Sequence, residues 1–261
     1  MNCSLIISTY NWHQALELVL VSVSKQTILP NEIVIADDGS TNETRNVVKK
    51  YQQKLKIPLK HIWQEDEGFR KSEILNKSFI QAKGEYIIQI DGDIIIHRNF
   101  IEDHLRNAKA NIFLHGSRSF LDHSLSQKSI TQKTTSFYFY QKGLTNRWNS
   151  IYFPLIARFF LPGKSLKKTR GCNFSCFKKD FFLTNGYNED MTGWGKEDTE
   201  LSARLINNNI LKKHLKFCAI SYHLDHKILQ RKGLNNNIEI LRETILGRAK
   251  RCKNGVNKYL I

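Results

Sequence analysis

Acidic side chains are in short supply. The chain carries 24 Asp and Glu against 40 Lys and Arg, a formal net charge of +16 over 261 residues. That surplus favours a polyanionic partner (nucleic acid, anionic lipid or a phosphorylated small molecule) without choosing among them. Proline is scarcer still. Four prolines and 14 glycines exclude collagen-like and low-complexity architectures. No run approaches the roughly 18 apolar residues needed to span a bilayer. The longest apolar stretch, 151–161, is short and interrupted by Arg158. The first residues lack the basic n-region and long apolar core of a secretory leader. The five cysteines, Cys3, Cys172, Cys176, Cys218 and Cys252, contain no C-x-x-C pair. They are expected to be reduced and mostly packed, as in a cytosolic protein, rather than a disulfide framework. What is present is a 41% hydrophobic, 11% aromatic composition, enough to bury the core of one α/β domain.

Strand and helix signals alternate over the first third. Short apolar runs at 3–7, 32–36, 59–63 and 86–90 read as strands, the first of them buried on both faces. Residues 12–25 place Leu16, Val19, Leu20 and Val23 on one helical face. Further helices are expected over 41–55, with Thr41 or Asn42 as N-cap, and over 69–82, stopped by Lys83-Gly84. Repeated βα units with short loops imply a mostly parallel central sheet flanked by helices. The second half is less regular. Helices are expected at 100–108 and 196–207, and strands at 112–115, 173–177 and 215–221. A helix over 228–250 is expected to bend near Gly233. Residues 120–170 show no clean period and read as an irregular functional insertion. Nine basic residues against Glu239 and Glu243 make 226–261 a basic helical extension to a domain spanning 1–225.

In an open parallel sheet, ligands bind beyond the carboxyl ends of the strands. Three strands here end in Ser8-Thr9-Tyr10-Asn11, Asp37-Asp38-Gly39-Ser40 and Asp91-Gly92-Asp93. A glycine-rich dinucleotide fingerprint is missing after the first strand, which argues against a dehydrogenase. Hydroxyls, amides and acids suit a nucleotide's base and ribose, with a cation for its phosphates. Two carboxylates one residue apart offer hard oxygens to Mg²⁺ or Mn²⁺. An Asp-Gly turn on a surface is common, but one that follows so apolar a strand favours the metal.

Several blocks in order resemble the GT-A nucleotide-sugar domain of family 2 glycosyltransferases. They are Ser8-Thr9-Tyr10-Asn11, Gln26-Thr27, Ile35-Ala36-Asp37-Asp38-Gly39-Ser40, Asp91-Gly92-Asp93, the run 171–180 and the run 185–190. Gly193-Trp194-Gly195-Lys196-Glu197-Asp198 is similar to the acceptor motif of β-1,4-galactosyltransferases and bacterial chondroitin-type polymerases. The resemblance covers residues 1 to about 225, the insertion excepted.

The resemblance implies an inverting, metal-dependent transfer of a hexose or N-acetylhexosamine from a UDP-sugar to a saccharide, in bacterial surface polysaccharide or lipooligosaccharide synthesis. It places Ser8, Tyr10, Asp38 and Asn76 at the nucleotide, Asp91 at the ribose or metal shell, and Asp93 on the metal, Mn²⁺ or Mg²⁺. His223, after the last core strand, is the expected second metal ligand, with His226 its rival. Asp198 aligns with the general base, and Glu197 with a group holding acceptor or donor hydroxyls. Trp194, between two glycines, is read as a platform under a sugar ring. An exposed helix start is expected to keep Asp198 ionised at neutral pH. The basic tail and Phe153, Leu155, Ile156, Phe159 and Phe160 of the insertion fit peripheral attachment to the anionic inner face of the cytoplasmic membrane, which would suit a lipid-linked acceptor. The competing class is a binding protein, either a catalytically inactive nucleotide-sugar domain or a basic nucleic-acid binder. Acids at successive strand ends repel nucleic-acid phosphates unless a cation intervenes, so no nucleic-acid partner is expected.

Overall fold

The computed structural model describes residues 1–226 and 233–260. The chain opens with β1 (Cys3–Thr9), α1 (His13–Ser24), β2 (Glu32–Asp37), α2 (Asn42–Lys54), β3 (Leu59–Trp63), α3 (Lys71–Gln81) and β4 (Tyr86–Asp91). β1 and β2 are buried along their whole length, as strands covered by helices on both faces must be. α1 is apolar on two sides for a related reason. Leu16, Val19, Leu20 and Val23 pack on the main sheet, while Ala15 and Leu18 join a second core beneath a smaller sheet.

The chain continues through β5 (Ile94–Ile96), α4 (Phe100–Asn107), β6 (Ile112–Gly116), β7 (Arg118–Leu121), α5 (His123–Gln132), β8 (Leu144–Thr145) and α6 (Pro154–Ala157). It ends with β9 (Asn173–Phe177), α7 (Lys178–Leu183), α8 (Glu197–Asn207), β10 (Leu211–Leu215), β11 (Ser221–His223) and α9 (Leu234–Leu246). The main sheet has the order β10-β6-β9-β4-β1-β2-β3. It is parallel except for β9, which runs antiparallel between β4 and β6. The second sheet has the order β5-β11-β7-β8. The strand order reverses at β1 and β4, which opens a crevice at their carboxyl ends. Gly92 and Asp93 alone connect β4 to β5, so the Asp91-Gly92-Asp93 turn is the joint between the two sheets.

Three expectations change. The interval 120–170 is organised in part: α5 is capped by the Asp122 side chain, which accepts from Leu125 N, and β7 and β8 pair in the second sheet, while 133–143 and 158–170 hold no helix or ladder strand. The strand expected over 215–221 is two strands in different sheets. The turn between them holds Phe217 and Ala219 at left-handed φ of 63° and 47°, and the buried Asp103 carboxylate accepts from Ala219 N. The helix expected over 228–250 is α9, beginning after Gly233. Residues 227–232, where that expected helix would start, lie outside the described residues.

The tail is docked rather than appended. Thr244 Oγ1 donates to Glu200 Oε1 on α8, Asn207 Nδ2 donates to Ala249 O, and Val256 joins the core of Ile74, Phe79 and Phe181. Glu200 in turn pairs with the fully buried Arg204, whose guanidinium also donates to Thr184 O and Gly186 O. α9 buries Asn237 and Thr244 and leaves Ile238, Ile245 and Leu246 exposed.

Candidate active site

The crevice is a cleft of about 1170 Å³ whose lining includes Ser8, Tyr10, Asp38, Asp91, Asp93, Trp194, Glu197, Asp198 and His223. Nine of the ten expected site residues therefore meet in one place.

One wall is a polar shelf made by the ends of β1, β2 and β4. Ser8 and Asp91 are register partners across β1 and β4, and Ser8 Oγ donates to Asp91 Oδ1 at 2.8 Å. Asp38 is buried. It accepts from Gln64 Nε2 at 2.7 Å and Arg70 N at 2.9 Å. Burial still pushes its pKa up to about 6. Tyr10 stands half-exposed at the rim, its hydroxyl donating to Asp66 at 2.9 Å.

At the joint between the sheets, Asp93 meets two imidazoles. His223 pairs in register with Ile94, immediately after Asp93. Asp93 Oδ2 lies 3.4 Å from His223 Nε2 and 3.1 Å from His226 Nε2. The ligating atoms of the three residues all lie within 4.8 Å of one another. Asp93 Oδ1 is buried without a hydrogen-bond partner. An orphaned carboxylate oxygen beside two imidazole nitrogens fits a divalent cation, and the mixed N/O donor set suits Mn²⁺ better than Mg²⁺. Both histidines reach Asp93, so the geometry does not choose between them.

The opposite wall is the start of α8. Gly193 and Gly195 take φ of 76° and 106°, values that glycine adopts without strain, and they hold Trp194 out at the cleft. Glu197 is buried and its Oε2 has no hydrogen-bond partner. Burial, and after it the charge of Asp198, push Glu197 up to about 7. Asp198 is also raised by burial. The expected exposed, freely ionised Asp198 is therefore corrected: the residue is partly buried at the cleft wall and its proton affinity is increased. Three groups favour its ionised form: first the Lys71 ammonium, then Gly171 N–H and the Tyr187 hydroxyl, 3.2 Å from Oδ1. The hydroxyl also lies 3.0 Å from Gln89 Oε1, while Gln89 Nε2 donates to Gly171 O. This closes a circuit of Gly171, Asp198, Tyr187 and Gln89.

Asn76 is the exception among the expected residues. It is fully buried away from the cleft lining. Its amide donates to Tyr187 O and Glu189 Oε1 and accepts from Tyr187 N. It is a bracket between α3 and the loop that carries Tyr187, not a nucleotide contact.

Two cleft groups, and a tyrosine buried behind the cleft, are not singled out in the sequence. Lys71 Nζ lies 2.6 Å from Asp91 Oδ1. Burial opposes its charge, but Asp91, Asp198 and Glu197 outweigh that and hold the ammonium above its ordinary pKa. Arg118, on β7, lines the cleft and donates to Cys172 Sγ. Among 40 basic residues neither stands out. Tyr187 lies inside a quoted motif, but only the fold shows its hydroxyl reaching Asp198.

Known proteins resemble this chain in sequence and fold. A family model for glycosyl transferase family 2 matches residues 4–172, and one for the N-terminal domain of galactosyltransferase matches residues 156–227. Validoxylamine A glucosyltransferase of Streptomyces hygroscopicus subsp. limoneus is 28% identical over 224 residues, which cover 79% of this chain and 48% of that protein. Chondroitin synthase of Escherichia coli is 25% identical over 264 residues, which cover 93% of this chain and 38% of that one. The chain thus spans half or less of the length of these curated relatives. Among solved structures, S. aureus TarS 1–349 in complex with UDP-GlcNAc superposes with a TM-score of 0.66 at 17% identity, covering 99% of this chain and 69% of that one. GalNAc-T7 with UDP, GalNAc and Mn²⁺ superposes with a TM-score of 0.67 at 16% identity, covering 93% and 48%. These likenesses are to the GT-A fold. With the family model matching well over half of its length and the strand-end acids gathered in one cleft, the chain belongs to glycosyl transferase family 2.

Proposed function

We propose that this chain transfers a hexose or N-acetylhexosamine from a UDP-sugar to a saccharide acceptor, with inversion, using a divalent metal. The observation that carries the reading is the position of two chemistries in one cleft. The Asp93, His223 and His226 cluster faces the strand-end shelf, and the Glu197 and Asp198 pair forms the other wall. Two solved structures of this fold hold UDP-GlcNAc in one case and UDP, GalNAc and Mn²⁺ in the other.

In this reading Asp38 and the Tyr10 rim take the base and ribose, and Ser8 and Asp91 border the ribose and diphosphate. Asp93, His223 and His226 would hold Mn²⁺, which when bound offsets the negative charge of the departing diphosphate. Asp198 takes the proton of the acceptor hydroxyl as its oxygen attacks the anomeric carbon and the bond from that carbon to the diphosphate breaks. The sugar passes through oxocarbenium character, as in glycoside hydrolysis, with no covalent enzyme intermediate. The pair divides its labour by environment. Asp198 has two donors aimed at its ionised form. Glu197, raised to about 7 and with a free Oε2, is suited to hold a sugar hydroxyl. Lys71 stays charged and keeps three nearby carboxyl groups from repelling the donor diphosphate. Trp194 offers an apolar face to the acceptor ring. A reducing, cytoplasmic setting fits the five free, buried cysteines.

The test is incubation with UDP-galactose, UDP-N-acetylgalactosamine and UDP-N-acetylglucosamine, with Mn²⁺ or with a chelator, over a panel of saccharides. Mass spectrometry detects the product and NMR its anomeric configuration. The expected result is one preferred donor, loss of turnover on chelation, and a β-linked product from an α-linked donor. A product that retains the donor's configuration, or full turnover without metal, would overturn the mechanism.

A further inference from the structure

No Asp or Glu occurs between Asp122 and Asp180, a stretch of 57 residues that contains 11 Lys and Arg. Within it, four large apolar side chains stand out of the surface in the space of nine residues. Phe153, Leu155, Phe159 and Leu161 are 48%, 66%, 68% and 82% exposed. Such clustering on a soluble surface marks an interaction site.

The segment is fixed in place. Phe153 N donates to Phe217 O at 2.7 Å at one end, and Gly163 and Lys212 exchange two backbone hydrogen bonds at the other. Between these anchors Ala157 is buried in the main core and the Phe160 ring lies against Phe217. The inward positions therefore hold α6 and its following turn to the body while Leu155, Phe159 and Leu161 are held outward. Exposed basic residues follow directly: Arg158, Lys164, Lys167, Lys168 and Arg170. Arg170, with Thr169, reaches the rim of the cleft.

We propose that residues 153–170 dock this chain on an anionic lipid bilayer, the apolar side chains entering the interface and the basic residues facing the headgroups. The choice of occupant rests on charge complementarity. A protein partner or a second copy of this chain would need to supply acids that this segment lacks. Unpaired bases could stack on Phe153 and Phe159 but give Leu155 and Leu161 nothing to enter, whereas a bilayer interface takes all four apolar side chains and the cations. The same segment runs on to the rim of the cleft, so docking would bring the cleft mouth toward the membrane surface. This assigns the contact to the α6 segment rather than to the basic tail. In the tail, Arg251 is engaged in donating to Phe182 O and Leu183 O. The inference does not depend on the reaction proposed above.

The experiment is co-sedimentation of the full chain with vesicles of phosphatidylcholine alone or containing phosphatidylglycerol, at low and high salt. The wild type should bind the anionic vesicles and release as salt rises. The pair Phe159→Ser and Leu161→Ser, and separately the triple Lys164→Glu, Lys167→Glu and Lys168→Glu, should each weaken binding by about tenfold or more. All five side chains are exposed, so the circular dichroism melt should be unchanged. The tail triple Arg248→Glu, Lys250→Glu and Lys253→Glu should bind within about twofold of wild type, since its charges lie outside the docking face. The proposal fails if the wild type ignores phosphatidylglycerol, or if the tail triple loses binding while the α6 variants keep it. It also fails if the apolar pair merely converts a dimer to a monomer with vesicle binding intact, or if the lysine triple abolishes RNA binding but not vesicle binding.

Discussion

Replacing Gly171 by Ala should cost this chain its activity while leaving its fold largely in place. Gly171 does not sit at a left-handed φ, so alanine meets no backbone penalty. The conflict is one of space. A methyl group at 171 would lie 2.2 Å from Asp198 Oδ1 and 2.7 Å from Gln89 Nε2. Ordinary contact requires the carboxylate to withdraw by about 1 Å. A shift of that size away from a reacting hydroxyl costs about 10²-fold in turnover. The withdrawal also stretches the hydrogen bond from Gly171 N–H, a bond to a charged acceptor worth about 1.5–3 kcal/mol. Overpacking costs about 1–3 kcal/mol of stability, a tolerable loss for a domain of this size. The assay compares turnover at saturating donor with UDP affinity by calorimetry and with the thermal melt. The expected pattern is kcat down by about 10²-fold, UDP affinity unchanged and a modest fall in Tm. A folded variant with near-normal kcat would show that Asp198 is not held in a reactive position by this contact.

The other predictions concern the same cleft. Tyr187→Phe removes a donor that lowers the Asp198 pKa, so the acidic limb of the kcat–pH profile should move to higher pH and kcat should fall by roughly tenfold; an unmoved limb would detach Tyr187 from the base. Glu197 is raised to about 7 in the folded chain, above its unfolded value, so it carries a cost that is absent below the unfolded pKa and complete above pH 7. Glu197→Gln should therefore stabilise the fold by about 1–3 kcal/mol at pH 8 and by little at pH 4, as measured by urea denaturation; equal effects at both pH values would contradict the raised pKa. Asp93→Ala, His223→Ala and His226→Ala should each weaken Mn²⁺ binding by at least roughly tenfold in calorimetry with UDP present, since even residues behind a ligand are worth that much; a silent His226→Ala would leave His223 as the only imidazole ligand.

The first ninety residues were readable because β1, β2 and most of β4 are buried on both faces and α1 presents a continuous apolar stripe. Legibility fails where inward positions are not apolar. α5 turns Ser126 and Ser129 inward beside Leu125, and α9 buries Asn237 and Thr244 while exposing Ile238 and Ile245. A hydrophobic period does not find α5, and in α9 it marks the exposed face rather than the buried one. The break between β10 and β11 was invisible because Phe217 and Ala219, not glycine or proline, take the left-handed turn. In the cleft, Asp38, Asp91 and Asp93 were legible from their place at strand ends, and Glu197 and Asp198, at the start of α8, from the motif they resemble. Lys71 and Arg118 were not, because a cation gives no signal in so basic a chain. Asn76 shows the opposite error: a polar residue in a familiar block serves packing rather than ligand binding. The ionisation of Asp198 depends on burial and on Lys71, Gly171 and Tyr187, which the local pattern around residue 198 does not show.

The central claim, that Asp198 is the base of a UDP-sugar transfer in this cleft, is tested most directly by Asp198→Asn with its preferred donor. The substitution keeps the shape of the side chain and removes its capacity to take a proton. UDP-sugar and Mn²⁺ binding should be retained in calorimetry while single-turnover product formation, followed by mass spectrometry, falls by about 10²- to 10⁴-fold. Near-normal turnover in Asp198→Asn, with Glu197→Gln the inactive variant, would contradict the assignment.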